Sequence, residues 1–303
     1  MLSNLVAGPG KPSPLPAGWI LRFSSLTGST NDDALVAARA GCPDRSAFLA
    51  NGQRAGRGRN GRAWIAPVGS SILCSLVLRT RLAPALVTAA TALAVAESIR
   101  DVVGLEARIK WPNDVMLADR KVCGILTEVT RGPGLPAVVV GFGLNVNLDP
   151  GTLGSLNSAT SLSAEIGTRI SRGPLLFAIL RGVDDTLTSA EKRGTHDLLE
   201  RWEKLLWRRY QSVSVGDNDQ RIMGVVEGVT QSGTLRLRLS DGSRAEVVAG
   251  DVGVPDGAEI HSACGSMACG EAPRELAGPP RGPGWDPERP ARPARSAPAR
   301  RPQ

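Results

Sequence analysis

Gln53-Arg54-Ala55-Gly56-Arg57-Gly58-Arg59-Asn60-Gly61-Arg62-Ala63-Trp64 is the stretch on which the fold assignment turns. Gly56, Gly58 and Gly61 match the G-x-G-x-x-G dinucleotide pattern formally, but that fingerprint opens a helix and is followed about twenty residues later by an acid. Here the chain runs through Trp64 and Pro67 into the strand-like run Ile72-Leu73-Cys74-Ser75-Leu76-Val77-Leu78, and Arg79 and Arg81 stand where the acid would be. A Rossmann unit is therefore excluded. A P-loop is excluded too, because no Lys-Ser/Thr pair follows the glycines. What remains is a set of guanidinium forks, Arg54, Arg57, Arg59 and Arg62, on a backbone free to adopt positive φ. That combination suits close wrapping around a phosphate.

Working outward, Trp19 to Phe23 alternates like a first strand, and Ser29-Thr30 before Asn31, Asp32 and Asp33 reads as a helix start with acids at the positive end of the dipole. That helix is expected to stop at Gly41-Cys42-Pro43, and Ala47-Phe48-Leu49-Ala50 to lead as a strand into the Arg-Gly loop. Beyond the Ile72 to Leu78 strand, Pro84 suits the first turn of a long Ala-rich helix ending near Gly104. Ala107 to Asp114 predicts a strand cut off by Pro112, followed by a hairpin of Val115-Met116-Leu117 and Lys121 to Val129. Ala137 to Asn147 reads as a buried strand, with Gly141 and Gly143 where something must come close. Helical patterns occupy Pro174 to Lys192 and His196 to Trp207.

From Val213 the pattern changes to short strands separated by Gly-containing turns: Val213 to Val215, Arg221 to Val229, Thr234 to Leu239 and Arg244 to Val248. This predicts a small β-barrel or sandwich. The organisation expected is a flexible arm over 1–17, a main domain over 18–210, a small β domain over 211–254 and a disordered Pro/Arg-rich tail over 255–303. The arm is too short and too interrupted by proline for a helix-turn-helix unit.

The 303 residues carry a formal charge of +7, part of it in the tail, where Arg residues outnumber acids from Glu271 onward. Basicity therefore does not by itself demand a nucleic acid. Five cysteines, Cys42, Cys74, Cys123, Cys264 and Cys269, show no C-x-x-C spacing and read as reduced thiols. No apolar run reaches membrane-spanning length and no signal-peptide order is present, so a cytoplasmic protein is expected. His196 and His261 are isolated, which argues against a metal site or a His base.

Several residues have both a bland and a functional reading. Lys110, between Ile109 and Trp111, is either solvent-facing or an ammonium set beside the Arg-Gly loop to stabilise charge on a carboxylate and a phosphate. Asp114 is a turn residue or a metal or ribose partner, and Ser29-Thr30-Asn31 is a helix cap or a donor-acceptor set for a neutral polar group. Gly124, Gly141, Gly143 and Asn145 mark either strand irregularities or close approach of a ligand ring.

Five motifs taken together, in order, are Ser29-Thr30-Asn31; Gln53 with Gly56 to Arg62 and Trp64; Lys110-Trp111-Pro112-Asn113-Asp114; Lys121-Val122-Cys123-Gly124-Ile125-Leu126-Thr127-Glu128; and Gly141-Phe142-Gly143-Leu144-Asn145-Val146-Asn147. The set resembles the biotin protein ligases, over roughly Trp19 to Gly253. The resemblance implies an α+β fold: a mixed-sheet catalytic domain similar to class II aminoacyl-tRNA synthetases, then an SH3-like barrel. It implies two chemical steps, biotinyl-5'-AMP formation from biotin and Mg-ATP, then transfer to a lysine of a biotin carboxyl carrier domain.

By the same resemblance, Ser29, Thr30, Asn31 and Gln53 would hold the ureido ring of biotin, with Gly124 also at the biotin site. Arg57, Gly58 and Arg59 would line the carboxyl and phosphate side, and Lys110, with Arg57 and Arg59, would carry the catalysis. Arg59, Arg62, Trp64, Lys110, Asn113 and Asn145 would contact ATP or the adenylate, and no protein-held metal is expected. The loop is expected to be poorly ordered without ligand and to close over the adenylate. A monomer or weak homodimer with no specific DNA binding is implied, since the arm before Trp19 cannot supply a repressor domain. Competing readings are a lipoate or octanoate acyl ligase or transferase of the same fold, and a basic anion- or nucleic-acid-binding module.

Overall fold

The computed structural model describes residues 15–132, 136–156, 158–216 and 221–255. The expected arm and tail, apart from residues 15–17 and 255, lie outside the described residues, as do His261, Cys264 and Cys269.

Strand β1 (Ile20–Ser24) is followed by helix α1 (Thr30–Arg39) and strand β2 (Ser46–Ala50), and β1 pairs parallel with β2. The Arg-Gly stretch makes a loop around a single 3-10 turn, Arg59–Gly61, and leads into β3 (Ser71–Leu78) and the long helix α2 (Pro84–Val103). Pro84 opens α2, and Gly104 ends it in the left-handed region (φ 78°), as the sequence predicts. Next come β4 (Ala107–Lys110), β5 (Asp114–Leu117), β6 (Arg120–Thr130) and β7 (Ala137–Asn145). These seven strands form one mixed sheet in the order β1-β2-β3-β7-β6-β5-β4, in which every pair except β1–β2 is antiparallel.

The strand from Ala107 stops at Lys110, ahead of Pro112 as expected, and only Asp114 differs, since it opens the next strand. The chain turns at Trp111-Pro112-Asn113, and β4 folds back on β5 with Lys110 opposite Asp114. Two short helices, α3 (Pro150–Gly154) and α4 (Leu162–Ile166), have no counterpart in the sequence reading. Each is about one turn long and starts at a side-chain cap, Asp149 on the Thr152 amide, with Pro150 behind it, and Ser161 on the Ala164 amide. Helices α5 (Arg172–Arg193) and α6 (His196–Leu205) then complete the main layer.

Every residue of β3 and β7 is buried, the mark of central strands covered on both faces. Side-chain alternation divides the two covers. Cys74, Leu76, Leu78, Val138 and Val140 join the large core with α2 and α5, whereas Val77 and Val139 join a smaller core with Ala34, Leu35 and Ala38 of α1. The α1 face is the one that builds the candidate site.

A second sheet follows, with strands β8 (Ser212–Val215), β9 (Ile222–Val229), β10 (Leu235–Arg238), β11 (Arg244–Val247) and β12 (Val252–Gly253) in the order β11-β10-β9-β8-β12. Its first four strands lie within two residues of those expected at either end. The architecture is thus α+β, a mixed sheet with helices followed by the small SH3-like β unit. Glu203 of α6 ties the two sheets by accepting from the Val229 amide at 2.9 Å and pairing with Arg209 and Arg236 at 3.0 and 3.1 Å. Trp111 Nε1 donates to Gly233 O at 3.0 Å beside them.

Candidate active site

Residues two apart on a strand share a face, so the α1 side of the central strands carries Leu73, Ser75 and Val77 of β3 and Val139, Gly141, Gly143 and Asn145 of β7. The register sets Leu73 and Gly124 on either side of Gly143, and Ser75 and Leu126 on either side of Gly141. The glycines leave a trough where side chains would otherwise stand. A Cβ on Gly124 would lie 2.9 Å from Trp64 Cζ3, and one on Gly141 would collide with the Asn31 amide. The trough opens into a cavity of about 1120 Å³, counting its mouth.

Of the residues the sequence singled out, Ser29, Thr30, Asn31, Gln53, Arg57, Gly58, Arg59, Arg62, Trp64, Asn113, Gly124 and Asn145 all line this cavity. Ser29, Thr30 and Asn31 are buried at the start of α1. Ser29 sits at the N-cap position, yet its side chain makes no cap hydrogen bond. Thr30 donates to Gln53 Oε1 twice, from its amide at 2.7 Å and its hydroxyl at 3.0 Å. The Asn31 amide nitrogen donates to Glu128 Oε2 at 2.8 Å and Leu126 O at 3.3 Å, and its oxygen accepts from Ser75 Oγ at 2.6 Å. This end of the cavity is a neutral hydrogen-bonding floor.

The rim is cationic. Arg57 reaches Asp32 at 2.6 Å and Glu128 at 3.2 Å, and Arg59 donates to Asn113 Oδ1 at 2.8 Å. Asp251, beside β12, pairs with Arg62 and lies 3.8 Å from Arg59. Burial by itself would raise the Asp251 carboxyl. The Arg62 hydrogen bond and the charges of Arg62, Arg59 and Lys110 outweigh it and hold the group below the ordinary carboxylate value. The loop itself closes through Gly58 N to Arg62 O at 2.7 Å and Trp64 N to Gly56 O at 2.9 Å.

Lys110 departs from expectation. It is not among the cavity-lining residues, and its ammonium lies over the Trp207 ring, 5.3 Å from the centroid. Burial lowers its pKa, partly countered by the charges of Asp114 and Asp251. The lysine in the cavity wall is Lys121, 2.7 Å from Asp114 Oδ1 and 5.7 Å from the Trp64 ring centroid.

The reason lies in β6. Lys121 and Gly124 are three positions apart, so strict alternation would place them on opposite faces. An irregularity in the β5–β6 register, where Val115 opposes Cys123 but Met116 opposes Lys121, brings them together, and a Cβ on Gly124 would stand 3.0 Å from Lys121 Cε. Sequence reading placed Lys121 in a family motif without a role. Glu128 closes the same motif, likewise without a role, and Ser75 and Asp251 were missed, because nothing local distinguishes a core serine or a surface acid from a site residue.

Three buried polar atoms of the cavity residues lack a hydrogen bond: Asp114 Oδ1, which is ion-paired with Lys121, and Trp64 Nε1 and Asn145 Oδ1, which are not. The last two each leave about 1–3 kcal/mol of desolvation cost for a ligand to relieve. Burial pushes the Cys74 and Cys123 thiols far up, so neither supplies a thiolate. Among the described residues no group of three or more His, Cys, Asp or Glu converges on a metal position, and no helix is long and apolar enough to cross a membrane.

Residues 28–145 match the Biotin/lipoate A/B protein ligase family. The chain is 34% identical over 221 residues to the biotin--[acetyl-CoA-carboxylase] ligase of Paracoccus denitrificans, covering 70% of this chain and 91% of that one. It is 33% identical over 195 residues to the bifunctional ligase/repressor BirA of Escherichia coli, covering 63% of this chain and 61% of the length of BirA. Its fold is like that of the biotin protein ligase from Aquifex aeolicus in complex with biotin and ATP, with a TM-score of 0.67 at 22% identity, covering 77% of this chain and 97% of that one. With a third of the aligned residues identical across nine-tenths of the Paracoccus enzyme, and with the matching fold, the chain belongs to the biotin protein ligase family.

Proposed function

We propose that the chain is an ATP-dependent biotin protein ligase, with residues 18–210 as the catalytic domain and 211–254 as an SH3-like domain that braces the loop. One observation carries the reading: a neutral hydrogen-bonding floor of Thr30, Asn31 and Gln53 continues, two residues along β7, into a wall of Lys121, Trp64 and Arg59. A ureido ring with a carboxylate tail needs that succession. An octanoyl or lipoyl chain would bring no donor to Thr30 Oγ1 and Asn31 Oδ1, which share the one Ser75 proton, at a cost.

In the first step a carboxylate oxygen of biotin attacks the α-phosphorus of ATP, the bond to the β-phosphate oxygen breaks, and pyrophosphate leaves. Ser29, Thr30, Asn31 and Gln53 hold the ureido group, with Gly124 letting the ligand lie close to the sheet. Arg57, Gly58 and Arg59 face the carboxylate and phosphate, and Lys121, in place of the expected Lys110, stabilises charge as it develops. Trp64, Arg62, Asn113 and Asn145 receive the nucleotide, whose base can pair with the orphaned Trp64 Nε1 and Asn145 Oδ1. Magnesium arrives with ATP, since this ion is held largely by phosphates and water with one or two carboxylates.

In the second step the amine of a carrier-domain lysine attacks the acyl carbon and AMP departs. The carrier is a biotin carboxyl carrier domain of an acyl-CoA carboxylase, met in the cytoplasm by a monomer or weak homodimer. Incubating the protein with biotin, Mg-ATP and a carrier domain, then probing the carrier for biotin, tests the reading. No transfer beside a working control ligase removes it.

A further inference from the structure

The cavity floor is a chain of hydrogen bonds whose proton count is fixed by its two ends. Glu128 presents a carboxylate and Leu126 a carbonyl, both acceptors only, so the Asn31 amide must turn its nitrogen toward them and its oxygen toward Ser75. At the other end Gln53 Oε1 accepts from the Thr30 amide, which has no other role available, so this atom is an oxygen and the Thr30 hydroxyl proton is spent on it as well. Thr30 Oγ1 is left to accept. Ser75, fully buried on β3, stands 2.6 Å from Asn31 Oδ1 and 2.8 Å from Thr30 Oγ1. It has one proton for two acceptors.

We infer that Ser75 and Glu128 are positioning residues that give the floor one acceptor more than it has donors, so that a ring N–H of the ligand is required to complete it. The inference rests on the ligase reading for the identity of the ligand and deepens it. Specificity toward biotin then comes from residues that need not touch biotin: Glu128 fixes which way the Asn31 amide points, and Ser75 rations the proton. A ligand offering an oxygen in place of that N–H would set two acceptors against each other in a buried site, and such sites reject analogues lacking the group strongly.

The test is direct binding by calorimetry to the full chain, with biotin and with the two cyclic carbamates in which one ring N–H is replaced by oxygen. The wild-type protein should bind at least one carbamate about tenfold or more weaker than biotin, the equivalent of one hydrogen bond. Glu128→Gln, whose amide can donate, lets Asn31 turn over, and the preference should shrink by about fivefold or more. Ser75→Ala should also change the ratio, because both acceptors then seek a donor. Asp32→Asn, which frees Arg57 from its nearer partner without touching Asn31, should leave the ratio alone and separates loosening of Arg57 from turning of Asn31.

A wild-type ratio near one, or folded Glu128→Gln and Ser75→Ala proteins with the wild-type ratio, overturns the inference even where carrier biotinylation proceeds. Biotin binding with the expected ratios but no transfer to a carrier would sink the ligase reading and leave the inference standing.

Discussion

Lys121 Nζ stands 2.7 Å from Asp114 Oδ1, while Lys110, the strand partner of that same aspartate, turns its ammonium onto the Trp207 ring. Two lysines eleven residues apart thus share one carboxylate's neighbourhood, and one of them faces the cavity. Lys121→Met is expected to slow biotin-dependent exchange of pyrophosphate into ATP by about 100-fold or more, the loss typical of one preorganised charge contact. Lys110→Met should slow it far less, because its partner is an aromatic ring outside the cavity. Equal losses in the two variants would return Lys110 to the reaction.

Asp251 reaches from the small β unit to Arg62 and Arg59 of the loop. Asp251→Ala should let preformed adenylate escape faster, read as increased labelling of bystander amines. Stability should fall by less than about 1 kcal/mol, since the pair is partly exposed and screened. Because the folded carboxyl is depressed, its contribution is present above the unfolded value and is lost as pH falls through the folded pKa. Adenylate retention should therefore be level from neutral pH down to the ordinary carboxylate range and weaken only below it.

Gly124→Ala would bring a methyl to 2.9 Å from Trp64 Cζ3 and 3.0–3.1 Å from the end of the Lys121 side chain. Both neighbours are side chains that can move, so folding should survive. The expected result is a KM for ATP raised about tenfold together with a lower kcat, measured by steady-state transfer, as the nucleotide wall and the lysine shift at once.

Hydrogen exchange across residues 56–64 should slow when biotin and ATP are added together. Gly58, Arg62 and Trp64 amides are already bonded within the loop, so the change should be largest at Arg57, Arg59 and Gly61. Exchange that is the same in both states would remove the lid.

Much of the fold was legible because it is local. The Pro84 start and Gly104 stop of α2, the buried run of β3 and the short strands from Val213 follow from propensity, period and turn chemistry. The cavity residues of the Ser29-Thr30-Asn31 turn and the Arg-Gly loop were legible as types, because donors, acceptors and guanidinium groups suit a polar ring and a phosphate whatever their arrangement.

The sequence by itself determined the α+β class, the Arg-Gly loop and the donor and acceptor types of the floor. Only the tertiary structure decided that Lys121 faces the cavity and Lys110 does not, that Trp64 lies over Gly124, and that Ser75 and Glu128 orient Asn31. The physical reason is that a side chain's face depends on strand register, and register is set by hydrogen bonds to residues distant in the chain. The irregularity between Val115 and Met116 turns Lys121 against the local alternation, and no pattern within β6 records it.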